Sequence, residues 1–280
     1  MSSLLSSSIN SALAASSTCP RIAVVVPCYN EAESLPQLAA ALNDLRTVLA
    51  GHYRAEFLLV DDGSTDDTWR LMAEYFGGAA DVRLIRHDRN QGIAAAIATG
   101  IAQTRSEIVA SIDADCTYAP RQLTLLLPLL TDGVDVVVAS PYHPRGRVAG
   151  VPPWRLAISK LASRLYRLVL RNKLHTYTSC FRVYRRASVA GLRLKSGGFV
   201  GIAELLCQVD QRGGRIVECP AVLTLRQTGH SKLRVVRTAL AHLRLLARAA
   251  WSRCTFSSPP ALLNQSTTVP QSTTPQSSAT

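Results

Sequence analysis

The sequence predicts an α/β fold: a mainly parallel central sheet flanked by helices. Three observations carry that expectation. Short β-branched apolar runs alternate with segments whose apolar residues recur at helical spacing. The runs sit far enough apart for each to be joined to the next by a helix, which implies parallel pairing and helices on both faces. Polar or acidic residues follow several runs directly, at the strand ends where such sheets bind ligands.

The elements follow in order. "RIAVVVP" (21–27) is a continuous run suited to a strand buried on both faces. "ESLPQLAAALNDLRTVLA" (33–50) spaces Leu35, Leu38, Leu42, Leu45 and Leu49 as one helical face. "AEFLLVDD" (55–62) is the next strand. "STDDTWRLMAEYF" (64–76) opens with residues that start helices. "VRLIRH" (82–87), a helix from Gly92 to Thr104, "EIVASID" (107–113), a helix after Pro120 and "VDVVVAS" (134–140) continue the alternation.

The flanks differ. Residues 1–20 and 254–280 are rich in Ser, Thr, Pro, Gln or Ala and are expected to be disordered. The first has no Lys or Arg and no long apolar core, so an export signal is not expected. No apolar run reaches the ~18 residues that would span a bilayer. The seven cysteines are scattered without a C-x-x-C pair, which suits a reduced cytosolic protein and argues against structural zinc.

The net charge of +12 is unevenly placed. Residues 1–139 hold 9 Lys/Arg against 16 Asp/Glu, whereas residues 140–253 hold 22 against 3. The acidic part suggests one task and the basic part another, the latter wanting anionic partners. A nucleic-acid binder is disfavoured because aromatics are only 6%, with no stacking platform.

Three clusters close the strands of the acidic half. Pro27, Tyr29, Asn30 and Glu31 follow the first, Asp61 and Asp62 the second, Asp113 and Asp115 the run before Pro120. One acidic pair after a strand also suits a turn or helix cap. Three clusters at one sheet edge are hard to explain by capping alone. Two carboxylates one residue apart can hold a divalent cation, with substrate phosphates and waters completing its shell. There is neither a G-x-x-x-x-G-K-[ST] nor a G-x-G-x-x-G motif.

"VVVPCYNEAESLP", "LLVDDGSTDDTW", "NQGIAAAIATGIA" and "SIDADCTYAP" together resemble the inverting GT-A glycosyltransferases, in particular the dolichol- and polyprenyl-phosphate mannosyltransferases. The resemblance runs from about residue 21 to about 235. It implies that Pro27, Tyr29 and Glu31 hold the nucleotide, that Asp61 meets the base, and that Asp113 and Asp115 form the metal pair, with Mg²⁺ or Mn²⁺ on the donor diphosphate. Asp62, Ser64 and Asp66 are equally well read as turn and cap residues.

The basic half extends the resemblance. "PPWRLAISKLASRLYRLVLRN" (152–172) is a basic amphipathic helix suited to an anionic membrane surface. Arg155 and Ser159, four apart on one face, match the pair that engages the lipid phosphate in the family. "YTSCFRVYRR" and "GGFVGIAELL" resemble family segments, with Cys180 in place of Gly. "LRQTGHSKL" (225–233) implies that Arg226 and Lys232 face the phosphates. A second basic amphipathic helix follows, with Leu240 and Leu243 on its apolar side. Thr117 stands where the family has Gln, and Pro141 where it has Arg.

The resulting expectation is a GT-A domain over residues 21–253, divided into a nucleotide-sugar half (21–140) and an acceptor half (141–253). The resemblance implies an inverting, metal-dependent hexosyltransferase moving mannose or glucose from GDP-mannose or UDP-glucose to a polyprenyl phosphate. Asp115, Arg155 and Arg226 would carry the chemistry, peripherally at the cytoplasmic face of a membrane. A GT-A enzyme with a non-lipid acceptor is the alternative.

Overall fold

The first apolar run becomes β1 (Arg21–Cys28), in which every residue after Arg21 is buried. The computed structural model describes residues 19–224 and 235–255. Helix α1 (Leu35–Leu49) turns all five of its spaced leucines into one side of the core. Strand β2 (Arg54–Asp61) pairs with β1 in parallel, placing Cys28 beside Asp61. Helix α2 (Thr68–Phe76), β3 (Val82–Arg86), α3 (Ile93–Gln103) and β4 (Ile108–Ser111) continue the expected alternation.

Two boundaries differ from the sequence reading. Helix α2 starts at Thr68, not at Ser64, because the preceding polar residues fold back on themselves. Ser64 N donates to Asp61 Oδ1 at 3.1 Å, and Thr68 N to Asp66 Oδ1 at 3.0 Å. After Pro120 there is only the single turn α4 (Leu123–Leu126) between two 3-10 segments, the second holding Pro128.

The basic half contributes β5 (Val136–Ser140), β6 (Arg147–Val148), α5 (Pro153–Val169), β7 (Arg182–Arg185), the single turn α6 (Arg186–Val189), α7 (Gly198–Gln211), β8 (Ile216–Pro220), β9 (Val222–Leu223) and α8 (Val235–Thr255). The main sheet has the order β3-β2-β1-β4-β7-β5-β8. All pairings are parallel except those of β7, which is antiparallel to both β4 and β5. Two reversals restore direction, so β5 and β8 point the same way as β1, β2 and β4. Their carboxyl ends therefore share one edge with the acidic clusters. Strands β6 and β9 form a small separate sheet.

The sheet divides two cores. Leu38, Phe57 and Val183 lie on the α1 side. Val25, Ile97, Leu206 and Leu246 lie on the other, under α3, α7 and α8. Helix α8 docks through His242, Leu245, Leu246 and Ala249. The Tyr166 hydroxyl of α5 meets His242 Nδ1 at 2.7 Å, and the Tyr166 ring stacks on Tyr177. Among the described residues no helix is long and apolar enough to cross a membrane.

Burial holds His242 below its ordinary pKa of 6.5. The native state thus prefers the neutral ring, and below about pH 6.5 the unfolded state takes up protons that the native state resists. Docking of α8 should weaken on acidification through that range. Hydrogen exchange of the α8 amides, corrected for intrinsic rates, should show lower protection at about pH 5.5 than at about pH 7.5. A His242→Gln variant should lose the difference.

Candidate active site

The common edge collects six short segments: Tyr29–Glu31 after β1, Asp61 and Asp62 at the end of β2, Asp113–Thr117 after β4, Pro141 and Tyr142 after β5, Ser179 and Cys180 before β7, and Thr224 after β9. Two non-glycine residues there adopt left-handed backbone, Asn30 (φ 51°) and Cys116 (φ 53°). Such conformations cost energy and are held by their surroundings. At Asn30 the holding contacts are visible: its amide donates to Ser64 Oγ at 2.9 Å, and its Oδ1 accepts from Thr65 N at 2.8 Å. Glu31 N donates to Thr68 Oγ1 at 2.7 Å, and Ser34 Oγ to Glu31 Oε2 at 3.0 Å. The loops after β1 and β2 are thus stitched together.

Asp113 and Asp115 flank the buried Ala114. Asp115 Oδ1 accepts from Thr117 N at 3.1 Å, forming a turn that aims the loop. Burial first, and the Asp115 charge second, push the Asp113 carboxyl up to about 7, with Glu31 adding to the rise. The Cys180 thiol, hydrogen-bonded to Asp113, and the Arg182 charge work the other way. Mutual repulsion of two crowded carboxylates is what a bound cation would relieve. No cluster of three or more His, Cys, Asp or Glu side chains suited to a metal occurs among the described residues. A two-carboxylate donor set fits a hard cation whose remaining ligands are phosphate oxygens and water.

Asp61 and Asp62 have different lives. Asp61 is fully buried and in ion-pair contact with Arg86, whose Nε is 3.0 Å from Oδ2. That contact lacks hydrogen-bond alignment, and Oδ2 has no hydrogen-bond donor among the described residues. Asp62 is saturated: Oδ1 receives Gln91 N at 2.9 Å and His87 Nδ1 at 2.8 Å, and Oδ2 receives Gly92 N at 2.7 Å. His87 Nε2 then accepts from Thr99 Oγ1 at 2.9 Å. Asp62 therefore builds the entry to α3 and is not offered to a ligand. Gly92 (φ +94°) must be glycine for a second reason: a Cβ there would lie 2.5 Å from Gly198 N.

The predicted acceptor residues are only partly described. Ser159 lies on the inward side of α5 with its hydroxyl hydrogen-bonded to Tyr142. Lys160 Nζ stands 5.8 Å from the centre of the Tyr142 ring. Arg155 occupies the same helix, one turn before Ser159, and its side chain lies outside the described residues. Arg226 and Lys232 also lie outside them. Thr224, shortly before Arg226, is pinned beside the acidic loop, its amide and hydroxyl donating to Thr117 O at 2.9 and 3.1 Å. Pro27 is buried within β1, and Tyr29 and Glu31 are partly exposed.

Residues 23–192 match the Glycosyl transferase family 2 description. The chain belongs to glycosyl transferase family 2. It is 28% identical over 230 residues to the dolichol-phosphate mannosyltransferase of Pyrococcus furiosus, covering 81% of this chain and 63% of that protein. To the polyprenol monophosphomannose synthase of Mycolicibacterium smegmatis it is 30% identical over 220 residues, covering 76% and 81%. The fold is that of the glucosyl-3-phosphoglycerate synthase of Mycobacterium tuberculosis, solved with Mn²⁺, UDP and glucosyl-3-phosphoglycerate, at a TM-score of 0.62 and 22% identity over 84% of this chain and 80% of that one. The GT-A architecture expected from the sequence is thus present, and the protein is a transferase.

Within this family 2 chain, three features escaped the sequence reading. Cys180 meets Asp113 only because β4 and β7 pair antiparallel, with Ser111 opposite Arg182. Arg182 is wholly buried, donating to Ile202 O and Tyr177 O at 2.8 Å each. Glu204, Asp210 and Glu218, the basic half's three carboxylates, each bind two consecutive backbone amides: Lys195 and Ser196, Arg171 and Asn172, His175 and Thr176. Among the described residues, Arg185 is the one Lys or Arg of that half within ion-pair reach of a carboxylate, Asp132.

Two outcomes follow for stability. Asp62→Ala strands three donors and should cost on the order of 3 kcal/mol in urea unfolding. Asp113, its native pKa raised from 3.8, binds a proton in the folded state that the unfolded chain has lost, so its contribution falls as pH rises from about 4 to about 7. Asp113→Asn should flatten that part of the stability profile, and a profile identical to that of the unmodified chain would contradict the assignment.

Proposed function

We propose that this transferase moves mannose or glucose from GDP-mannose or UDP-glucose to a polyprenyl phosphate at the cytoplasmic face of a membrane. The observation that carries the proposal is a juxtaposition. The Asp113–Asp115 loop stands at the same sheet edge as a basic surface whose own carboxylates are spent internally. Helices α5 and α8 add exposed apolar residues to that surface: Trp154, Ile158, Leu161 and Leu168 on one, Leu240, Leu243 and Trp251 on the other. At 100° per residue the four on α5 fall within an arc of about 80°, beside the stripe of Lys160, Arg164 and Arg167.

In this reading Pro27, Tyr29 and Glu31 border the nucleotide. Asp61 Oδ2, which has no hydrogen-bond donor among the described residues, is the acceptor available to a base N–H once the half-exposed Arg86 swings aside. Asp113 and Asp115 would hold Mg²⁺ or Mn²⁺, which when bound neutralises charge on the donor diphosphate. Arg155, Ser159, Arg226 and Lys232 would orient the acceptor phosphate, and the Ser159–Tyr142 bond presets the hydroxyl. A phosphate is already anionic near neutral pH and needs no strong general base. One of its oxygens forms the bond to the anomeric carbon while the bond to the nucleoside diphosphate breaks on the opposite side, inverting the centre. Arg suits bidentate phosphate contact and Lys a point charge.

Incubation with Mg²⁺ or Mn²⁺, radiolabelled GDP-mannose or UDP-glucose and polyprenyl phosphate should yield an organic-soluble sugar lipid. Asp115→Ala should lower kcat on the order of 100-fold or more while leaving the fold intact. Product confined to the aqueous phase would indicate a non-lipid acceptor. Absence of transfer from every nucleotide sugar, by folded protein, would overturn the proposal.

A further inference from the structure

Behind the acidic loop lies a buried polar chain that no step of the proposed transfer uses. Cys180, Ser111, Arg182 and Tyr184 are all buried. The antiparallel register sets Ser111 opposite Arg182 and Val109 opposite Tyr184, so Ser111, Arg182 and Tyr184 share one face of the sheet. Ser111 Oγ donates to the Cys180 carbonyl oxygen. Having one proton, Ser111 must accept from Tyr184, whose hydroxyl stands 3.1 Å away. On the far side of Cys180, Phe181 N donates to Ser179 Oγ at 3.2 Å, and Phe181 O accepts from Ala139 N at 3.0 Å. The backbone around Cys180 is thus fixed from β4 and from β5 at once.

The thiol of this fixed residue donates to the Asp113 carboxylate. Asp113 follows Ile112, whose amide is anchored on Val25 O at 3.1 Å. Both partners therefore have set backbones, and the hydrogen bond between them favours one orientation of the carboxylate. A thiol has one proton, so it distinguishes one carboxylate oxygen from the other. That distinction matters to a cation. Mg²⁺ demands near-ideal octahedral geometry, and Mn²⁺ favours the same oxygen-rich arrangement. Ca²⁺ takes roughly six to eight oxygens in a flexible shell and readily uses both oxygens of one carboxylate. A carboxylate already held through one oxygen suits the first two cations and hinders the third.

We propose that Cys180 is a positioning residue for Asp113, and that its thiol biases the Asp113–Asp115 pair toward small octahedral cations, Mg²⁺ or Mn²⁺, and against Ca²⁺. The proposal rests on the metal pair proposed above and adds what selects the metal. Ser111 and Tyr184 serve it at one remove, by fixing the Cys180 carbonyl.

The test is metal binding by the whole protein, read by electron paramagnetic resonance of Mn²⁺ with UDP or GDP present and Mg²⁺ or Ca²⁺ as competitor, without turnover. Cys180 has no left-handed backbone, so Ala and Ser fit there without backbone strain. Cys180→Ala should weaken Mn²⁺ binding about tenfold, the scale on which hydrogen-bond partners of metal-binding side chains act. Ca²⁺ should lose less, so the preference for Mn²⁺ over Ca²⁺ narrows. Cys180→Ser keeps a donor in that place and should restore both affinity and preference. An unchanged preference in Cys180→Ala, or a Ser variant as impaired as the Ala variant, overturns the proposal, because packing alone would then account for Cys180. If Cys180→Ala fails to fold, infrared difference spectra of the unmodified chain decide. The Cys180 S–H stretch, identified by its loss in Cys180→Ser, should shift when Mg²⁺ and UDP are added, and an unmoved band overturns the proposal. Mn²⁺ binding undisturbed by Cys180→Ala yet abolished by Asp115→Ala overturns the role of Cys180 and leaves the metal pair standing. No Mn²⁺ held by the unmodified chain with either nucleotide removes both.

Discussion

One reversed strand sets the working edge of this protein. Strand β7 hydrogen-bonds antiparallel to β4 on one side and β5 on the other, so the blocks it joins remain parallel to each other. A parallel strand in that place would need its own crossover connection. Because β7 reverses, the segments leading into it arrive where those leaving β4, β5 and β8 depart. Cys180 and Arg182 thereby come to the acidic loop, and Thr224 to Thr117. The basic half meets the acidic half at one sheet edge because of this topology.

A second regularity is how the chain spends its carboxylates. Asp62, Glu204, Asp210 and Glu218 each hold two successive amides of a loop. A carboxylate accepting several N–H bonds is well compensated for burial, and the loop gains a fixed shape. The cost falls on the surface: the basic half keeps its cations and has no described carboxylate of its own outside to balance them. Asp113 and Asp115 follow a different rule. They crowd each other, and Asp113 is raised toward neutrality, the opposite of what a structural carboxylate clamp achieves.

Much of the fold was legible in the sequence. Leu35, Leu38, Leu42, Leu45 and Leu49 are buried as their spacing requires, and β1 is buried on both faces as its unbroken run implied. The short α4 and the late start of α2 were not legible, because Pro128 and local side-chain turns override propensity. In the site, the adjacency of Asp113 and Asp115 could be read directly. The ambiguity at Asp62 could not: "DD" is silent about which carboxylate turns inward to meet amides 29 and 30 residues away.

By itself the sequence determined the alternation, the strand ends where polar residues gather, the charge asymmetry and the amphipathic stripes, since all of these follow from local period and composition. The tertiary structure alone decided which strands are neighbours, that β7 runs backwards, that Asp62 is a clamp while Asp61 Oδ2 has no hydrogen bond among the described residues, and that α7 and α8 leave a groove between them. The physical reason is that hydrogen-bond partners and cavities depend on contacts between segments far apart in the chain, and no local pattern encodes where those segments meet.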